Sequence, residues 1–226
     1  MTYLFSGSFL SLKGQPSKLR PTLSIDTKRP RVVIQRLSNG DPDERWIYTP
    51  TRTSIERPDG TIVEYSDGVR ESFSGHELAT PWSKLQFAYF TGYALWNYFV
   101  TPFVFTWPGF STRELDRHVE SGQEWRVLEV TYPPEVPAHS RVQRFYYDKQ
   151  LMLQRLDYIV DVAGATATAA HYCYDHKEVG GIWIPTLRRV TSRLSQGPQL
   201  HGPSVFVLNF LDIKVRKHDT KEVSQL

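Results

Sequence analysis

The side chains best suited to chemistry are concentrated in one short segment, AHYCYDH, which spans residues 170–176. On a strand, successive side chains point to opposite faces, so His171, Cys173 and Asp175 share one face. His171 is a candidate general acid or base if that face is concave and apolar, because imidazole titrates near neutrality. The alternative is a core histidine that only hydrogen-bonds a neighbouring strand.

Asp157 is the second candidate catalytic residue, and it lies on the preceding predicted strand. A short connection through Gly164 joins the two strands, so a contact in which Asp157 orients His171 depends on the strand register. A nucleophilic role for Cys173 is disfavoured, because its neighbours on the same face lie roughly 7 Å away by strand rise.

Metal and cofactor sites are disfavoured by what the sequence lacks. The rings of His171 and His176 point apart on a strand, whereas a zinc-binding histidine pair at this spacing needs a helix. Cys173 is the sole cysteine, which excludes a disulfide within the chain and a thiolate-rich metal site. No Walker A, G-x-G-x-x-G, G-x-S-x-G or H-E-x-x-H pattern occurs. We therefore expect no metal and no cofactor, so any catalysis would proceed without one.

Aromatic side chains cluster within residues 89–107. Most are expected in the core, since large aromatics dominate burial energetics, and a minority would line a cavity and stack on a ligand. Together with a loop histidine and a strand tyrosine, the predicted substrate-binding residues are Tyr93, Trp96, Phe103, Trp107, His139 and Tyr158.

Near-alternating runs rich in β-branched and aromatic residues recur along the chain and predict strands. Pro58-Asp59-Gly60 is typical of a hairpin turn between two of them. The predicted strands are Leu19–Ile25, Arg31–Leu37, Arg45–Thr49, Thr53–Arg57, Ile62–Tyr65, Trp125–Tyr132, Arg141–Tyr147, Met152–Val162, Ala167–Glu178, Ile182–Arg193 and Val205–Val215.

One long helix is predicted between the two groups of strands. Thr80 would be its N-cap with Pro81 at the first helical position, and it would run to about Phe99. Residues 87–107 are apolar enough to suggest a membrane span, but Asn97 and Pro102 argue against one. A buried helix followed by a buried strand is the preferred interpretation.

These elements predict a mainly β (α+β) protein: one domain over residues 1–226, with residues 216–226 as a frayed tail. A large antiparallel sheet curls because its strands twist, and the aromatic helix would fill its concave face. The order of elements resembles the half-barrel of the lipoprotein carrier LolA, a fold also used by the rearrangement enzyme of violacein biosynthesis. The phrases at residues 80–103, 144–158 and 170–190 look like an uncharacterised microbial family, which implies the fold and no catalytic residues.

The charge balance argues against nucleic acid as a partner. The 27 basic and 24 acidic residues leave a formal net charge of +3 and are scattered along the chain. The single cysteine fits a reducing compartment, and residues 1–12 lack the pattern of a secretory signal, so a cytoplasmic location is expected. The oligomeric state stays open.

Two functions from different classes follow from a curled sheet around an aromatic helix. The first is a cofactor-independent enzyme of specialised metabolism, which would promote cyclisation, rearrangement or dehydration of a hydrophobic intermediate, chiefly by orienting it. The second is a non-catalytic carrier or binding module for a lipophilic small molecule. An interaction protein with an exposed aromatic patch is a third reading, which requires an uncovered helix.

Overall fold

The computed structural model describes residues 3–13, 15–16, 21–35, 43–193 and 204–217. Within these ranges the chain forms an antiparallel sheet of fourteen strands and one α-helix, α1 (Lys84–Val100). Short 3-10 helices cover Val69–Phe73, Phe103–Thr106 and Asp161–Ala163. The strands are β1 (Tyr3–Lys13), β2 (Gln15–Pro16), β3 (Thr22–Asp26), β4 (Arg31–Gln35), β5 (Arg45–Tyr48), β6 (Arg52–Glu56), β7 (Ile62–Asp67), β8 (Ser111–Glu120), β9 (Gln123–Thr131), β10 (Val142–Tyr147), β11 (Leu153–Ile159), β12 (Thr168–Val179), β13 (Ile182–Ser192) and β14 (Ser204–Lys217).

The strand order shows how the sheet is built. It runs β7-β6-β5-β4-β3-β1-β14-β13-β12-β11-β10-β9-β8, with β2 pairing only with β1. The first and last long strands thus meet in the middle, and the helical segment connects the two edge strands, β7 and β8. The sheet is curled but not closed, so the mainly β half-barrel predicted from the sequence is confirmed.

Helix α1 packs closely against the first half of the sheet, mainly on β3 to β7. Gly92 lies so near β5 that an added Cβ would stand 2.2 Å from Cβ of Tyr48. A glycine is therefore required for this approach of backbone to side chain. The buried core on this side joins helix residues such as Tyr89 and Leu95 to sheet residues such as Ile34 and Ile55.

The predicted start of the helix was wrong by about one turn. The N-cap is Ser83 and not Thr80: Oγ of Ser83 accepts from the Gln86 backbone N–H, and Oε1 of Gln86 accepts from the Ser83 backbone N–H. This reciprocal capping box satisfies two backbone donors that Thr80 and Pro81 cannot reach. The helix ends at Val100, before Pro102, as predicted.

Other differences lie at the edges and ends of the sheet. Strands β1, β2 and β8 were not predicted. Residues 103–106 form a 3-10 helix, with Phe103 exposed, where a buried strand was expected. Residues 216 and 217 belong to β14, whereas the rest of the predicted tail lies outside the described residues. The predicted ends of two early strands, residues 19–20 and 36–37, also lie outside them.

No helix in the described ranges is both long enough and apolar enough to cross a membrane. The apolar run of residues 87–107 is instead divided between α1 and the following 3-10 helix.

Candidate functional site

The candidate site lies on the concave face of the second half of the sheet, where β11, β12 and β13 run side by side. His171 in β12 pairs with Leu156 of β11 and with Val190 of β13. Two residues further along β12, Cys173 pairs with Arg188. Directly paired residues share a face, so the alternation predicted for the AHYCYDH segment places His171, Cys173 and Arg188 together.

Arg188 fixes the hydrogen-bonding state of His171. Its Nη1 lies 3.4 Å from Nε2 of His171, and Nδ1 of His171 lies 3.3 Å from the Tyr158 hydroxyl. A guanidinium can only donate, so Nε2 must accept and the proton of the neutral imidazole lies on Nδ1. His171 consequently donates to Tyr158.

The network continues from the sheet to the helix through two tyrosines. The Tyr158 hydroxyl is hydrogen-bonded to the Tyr98 hydroxyl. The Tyr98 hydroxyl in turn lies 2.9 Å from Nε2 of His139. Nδ1 of His139 lies 3.2 Å from the Tyr93 hydroxyl. The His139 ring stacks on Tyr158, with ring centres 4.1 Å apart. Donors and acceptors match along a directed chain that runs from Arg188 through His171, Tyr158, Tyr98 and His139 to Tyr93.

His139 comes from a loop that two contacts hold in place. Asn97 of α1 donates to the Pro137 carbonyl. Nη1 of Arg70 donates to the Ala138 carbonyl, while its Nη2 contacts both carboxylate oxygens of Asp161. The loop is thereby fixed between the helix and the segment after β11, with His139 itself buried.

Burial makes the whole cluster electrically neutral apart from Arg188. Desolvation, assisted by the positive charge of Arg70, lowers the pKa of His139 to about 3. Desolvation, with Arg188 nearby, holds the pKa of His171 well below its usual value. Burial raises the pKa of Tyr98 to about 12. Both imidazoles are therefore uncharged at neutral pH and act as hydrogen-bond relays.

Sequence reasoning missed Arg188, which is only 2% exposed. Its guanidinium lies 4.8 Å over the Tyr98 ring, Nη1 is also 3.3 Å from Sγ of Cys173, and Nη2 donates to the Tyr98 carbonyl at 3.2 Å. Its Nε has no hydrogen-bond partner among the described residues. The missed signal is the alternation of β13, in which Arg188 follows Ile184 and Thr186 on the buried face.

Around this polar centre the concave face is apolar and incompletely covered, because α1 packs mainly on the other half of the sheet. The residues that border the buried cluster are partly exposed. They include Tyr98, Phe105, Phe110, Leu128, Tyr147, Leu153 and Val190.

Four of the predicted site residues meet in this cluster: His171, Tyr158, His139 and Tyr93. The other aromatic candidates do not. Trp96 donates to the Asp26 carbonyl and packs on Trp107, and Phe103 is 53% exposed.

The contact between Asp157 and His171, which depended on the strand register, does not form, so the candidate role of Asp157 in orienting His171 is wrong. Asp157 pairs with Ala170, so its side chain lies on the convex face, opposite to that of His171. There it accepts from Tyr146 at 2.9 Å, from Arg155 at 2.6 Å to each carboxylate oxygen, and from Arg193 at 3.0 Å. The register differs by one position from the one that the contact requires. Asp157 therefore belongs to a buried ion cluster on the convex face and lies outside the site.

A broad open groove of about 600 Å³ lies at β8 to β10 and does not match the predicted apolar cavity. Its lining is charged, and several of the charges are already paired, as in Arg126 with Glu114 and Arg113 with Glu129. In the part of the chain that the structure describes, no three His, Cys, Asp or Glu side chains are grouped to hold a metal ion.

No family model matches the sequence, and no curated protein matches it. Solved structures do resemble it. A LolA superfamily protein from Nitrosomonas europaea has a TM-score of 0.55 at 11% identity, with 99% of this chain and 90% of that chain covered. A putative outer membrane lipoprotein-sorting protein domain from Vibrio parahaemolyticus has the same TM-score and identity, with 96% and 87% covered.

These similarities define the fold as a LolA-like half-barrel. The particular likeness to the violacein-pathway enzyme is not shown. The predicted cytoplasmic location is contradicted, because the structures that share the fold include one described as sorting outer membrane lipoproteins.

Proposed function

We propose that the protein is a binding or carrier protein for a lipophilic small molecule in the cell envelope. The observation that carries the proposal is the incompletely covered concave face of β9 to β13, lined by partly exposed apolar side chains such as Leu128, Leu153 and Val190. Burying these side chains against a ligand is favourable by about 25 cal/mol per Å² of apolar surface. The LolA-like fold supports the same proposal.

The proposal is tested with the neutral fluorescent probe N-phenyl-1-naphthylamine, whose emission rises in apolar sites. Purified full-length protein is expected to bind it in a saturable manner with a stoichiometry of one, and co-purified lipophilic molecules are sought by native mass spectrometry. A carrier releases its ligand unchanged on denaturation. Absence of saturable binding of the probe and of any co-purified ligand would refute the proposal.

Two isosteric substitutions locate the site. Val190→Thr places a hydroxyl on the concave face, whereas Val142→Thr places one on a strand position that is 47% exposed. An unpartnered hydroxyl in an apolar site costs about 1–3 kcal/mol, so Val190→Thr is expected to weaken binding of the probe at least about fivefold. Val142→Thr should bind like the wild type. Equal affinities for both variants would place the site elsewhere.

The second candidate function is the cofactor-independent cyclase, isomerase or lyase. The directed hydrogen-bond chain from His171 through Tyr158 and Tyr98 to His139 favours it, because such a chain can move a proton between a ligand and the protein. The low pKa values of both histidines make them weak bases, so orientation would have to provide most of the rate. Conversion of a lipophilic metabolite in large molar excess over protein, lost in His171→Phe, would establish the enzyme. Depletion in proportion to protein would establish the carrier.

A further inference from the structure

We infer that the lipophilic ligand carries a single negative charge, a carboxylate, which binds beside Arg188; this deepens the carrier function proposed above and rests on it. The starting point is a buried cation for which no described residue supplies a counter-ion. The three hydrogen-bond partners of Arg188 in the described ranges are the His171 imidazole, the Cys173 thiol and the Tyr98 carbonyl. All three are neutral.

A charge buried in this way is costly unless it is paired. Arg155, the other deeply buried arginine among the described residues, illustrates the usual arrangement, because it is paired with both Glu120 and Asp157. On the concave face no described carboxylate pairs with Arg188, although Arg188 is as deeply buried as Arg155. The cation–π contact with Tyr98 compensates only part of the lost hydration.

Two unused donors indicate where the anion would lie. The Nε of Arg188 and the hydroxyl of Tyr147 are both buried, and neither has a hydrogen-bond partner among the described residues. Both residues lie near Cys173: Nη1 of Arg188 is 3.3 Å from its sulfur, and Tyr147 packs against the buried cluster that contains Cys173. A carboxylate has two acceptor oxygens, so one can accept from Arg188 and the other from Tyr147.

The surroundings fit the rest of such a ligand. Tyr147 is itself partly exposed, and so are Leu153 and Val190, which border the same cluster. An alkyl chain can extend over these side chains while its head group reaches the buried donors. With both imidazoles neutral, the described residues of the site hold one positive charge, which matches a carboxylate better than a dianionic phosphate ester.

The test compares laurate with 1-dodecanol, two ligands of equal chain length that differ in the head group, by displacement of N-phenyl-1-naphthylamine from the full-length protein. The wild type is expected to bind laurate at least tenfold more tightly than 1-dodecanol. Arg188→Met should abolish this preference by weakening laurate binding while 1-dodecanol affinity stays unchanged. The matched control is Arg189→Met, which removes the neighbouring arginine from the opposite face of β13 and should retain the preference.

Tyr147→Phe is a second variant, to be used if Arg188→Met does not fold. It removes only one oxygen atom and is expected to keep the fold. It should lower the preference for laurate several-fold. Equal affinities of wild type for laurate and 1-dodecanol would overturn the inference and leave the carrier function standing. Tighter binding of dodecyl phosphate than of laurate would also overturn it, in favour of a dianion. Failure of all these ligands and of the neutral probe would refute the carrier function itself.

Discussion

Nη1 of Arg188 in β13 lies 3.4 Å from Nε2 of His171 in β12, so a permanently protonated group faces an imidazole nitrogen across neighbouring strands. Because arginine cannot accept a hydrogen bond, this contact selects the tautomer of His171 that carries its proton on Nδ1. Arg188, which the sequence did not single out, thereby sets the tautomer of His171, the first catalytic candidate in the sequence.

We therefore expect His171 to be the Nδ1–H tautomer in the folded protein at neutral pH. Long-range ¹H–¹⁵N spectra of histidine-labelled protein distinguish the two neutral tautomers from each other and from imidazolium. Arg188→Met should release the constraint and allow the Nε2–H form to be populated. An unchanged Nδ1–H signal in that variant would show that Tyr158 alone selects the tautomer.

The free energy of unfolding should decrease as the pH is lowered below about 6.5, the ordinary pKa of histidine. The unfolded imidazole titrates near pH 6.5, whereas the folded pKa of His139 is about 3 and that of His171 is also strongly lowered. Between these values the unfolded state binds more protons, so each histidine adds a slope of about 1.4 kcal/mol per pH unit to the free energy of unfolding. Above pH 6.5 neither histidine contributes to this slope.

Urea denaturation at a series of pH values between about 7 and 4 measures this slope. His139→Gln should remove one histidine's share of the slope while leaving the region above neutrality flat. Identical slopes in the variant and the wild type would mean that His139 is protonated in the folded state.

The convex face should be a stability element without a role in binding. Arg155 is buried between Glu120 and Asp157, and Glu120 also accepts from Tyr172 at 2.7 Å. Arg155→Met leaves two buried carboxylates short of a partner, and we expect a loss of about 3–5 kcal/mol in the free energy of unfolding. The exposed Arg126, paired with Glu114, supplies the control, since Arg126→Met should leave the denaturation midpoint unchanged. Loss of probe affinity in a folded Arg155→Met protein would contradict the separation of the two faces.

The strands of the second half were predictable because their alternation is strong. In β12, Ala169 and Cys173 face the helix side and Tyr172 and Tyr174 face the other, as period-two reasoning predicts. Strand β8 was missed because it is an edge strand of mostly polar, exposed residues, STRELDRHVE, with no apolar face to detect.

The site itself was only half predictable. The structure brings together four of the side chains that the sequence singled out, His171, Tyr158, His139 and Tyr93, although their roles in binding or catalysis stay predictions. Asp157 was misplaced because register is set by pairing between strands, and a shift of one residue reverses the face. The buried Arg188 was missed because charge in a strand ordinarily indicates exposure.

The contact between helix and sheet allows a sharp test of packing. Because an added Cβ at Gly92 would stand 2.2 Å from Cβ of Tyr48, Gly92→Ala must push α1 away from β5. Overpacking of this kind costs about 1–3 kcal/mol or more, so a melting temperature several degrees lower is expected. Thr91→Ala, one residue earlier on the partly exposed side of the helix, should leave the melting temperature nearly unchanged. A Gly92→Ala protein as stable as the wild type would show that the helix can shift on the sheet without cost.

Cys173 reports directly on access to the concave face, because it is the sole cysteine in the chain. It is 1% exposed, and burial raises the pKa of its thiol. Since the thiolate is the reactive form, Ellman's reagent should label the native protein far more slowly than the protein in urea. Laurate should slow native labelling further if its head group lies beside Arg188 and Cys173, while 1-dodecanol at equal occupancy should protect less. Rapid labelling of the native protein would mean that the concave face opens readily in solution, and protection by both ligands alike would move the head group away from the thiol.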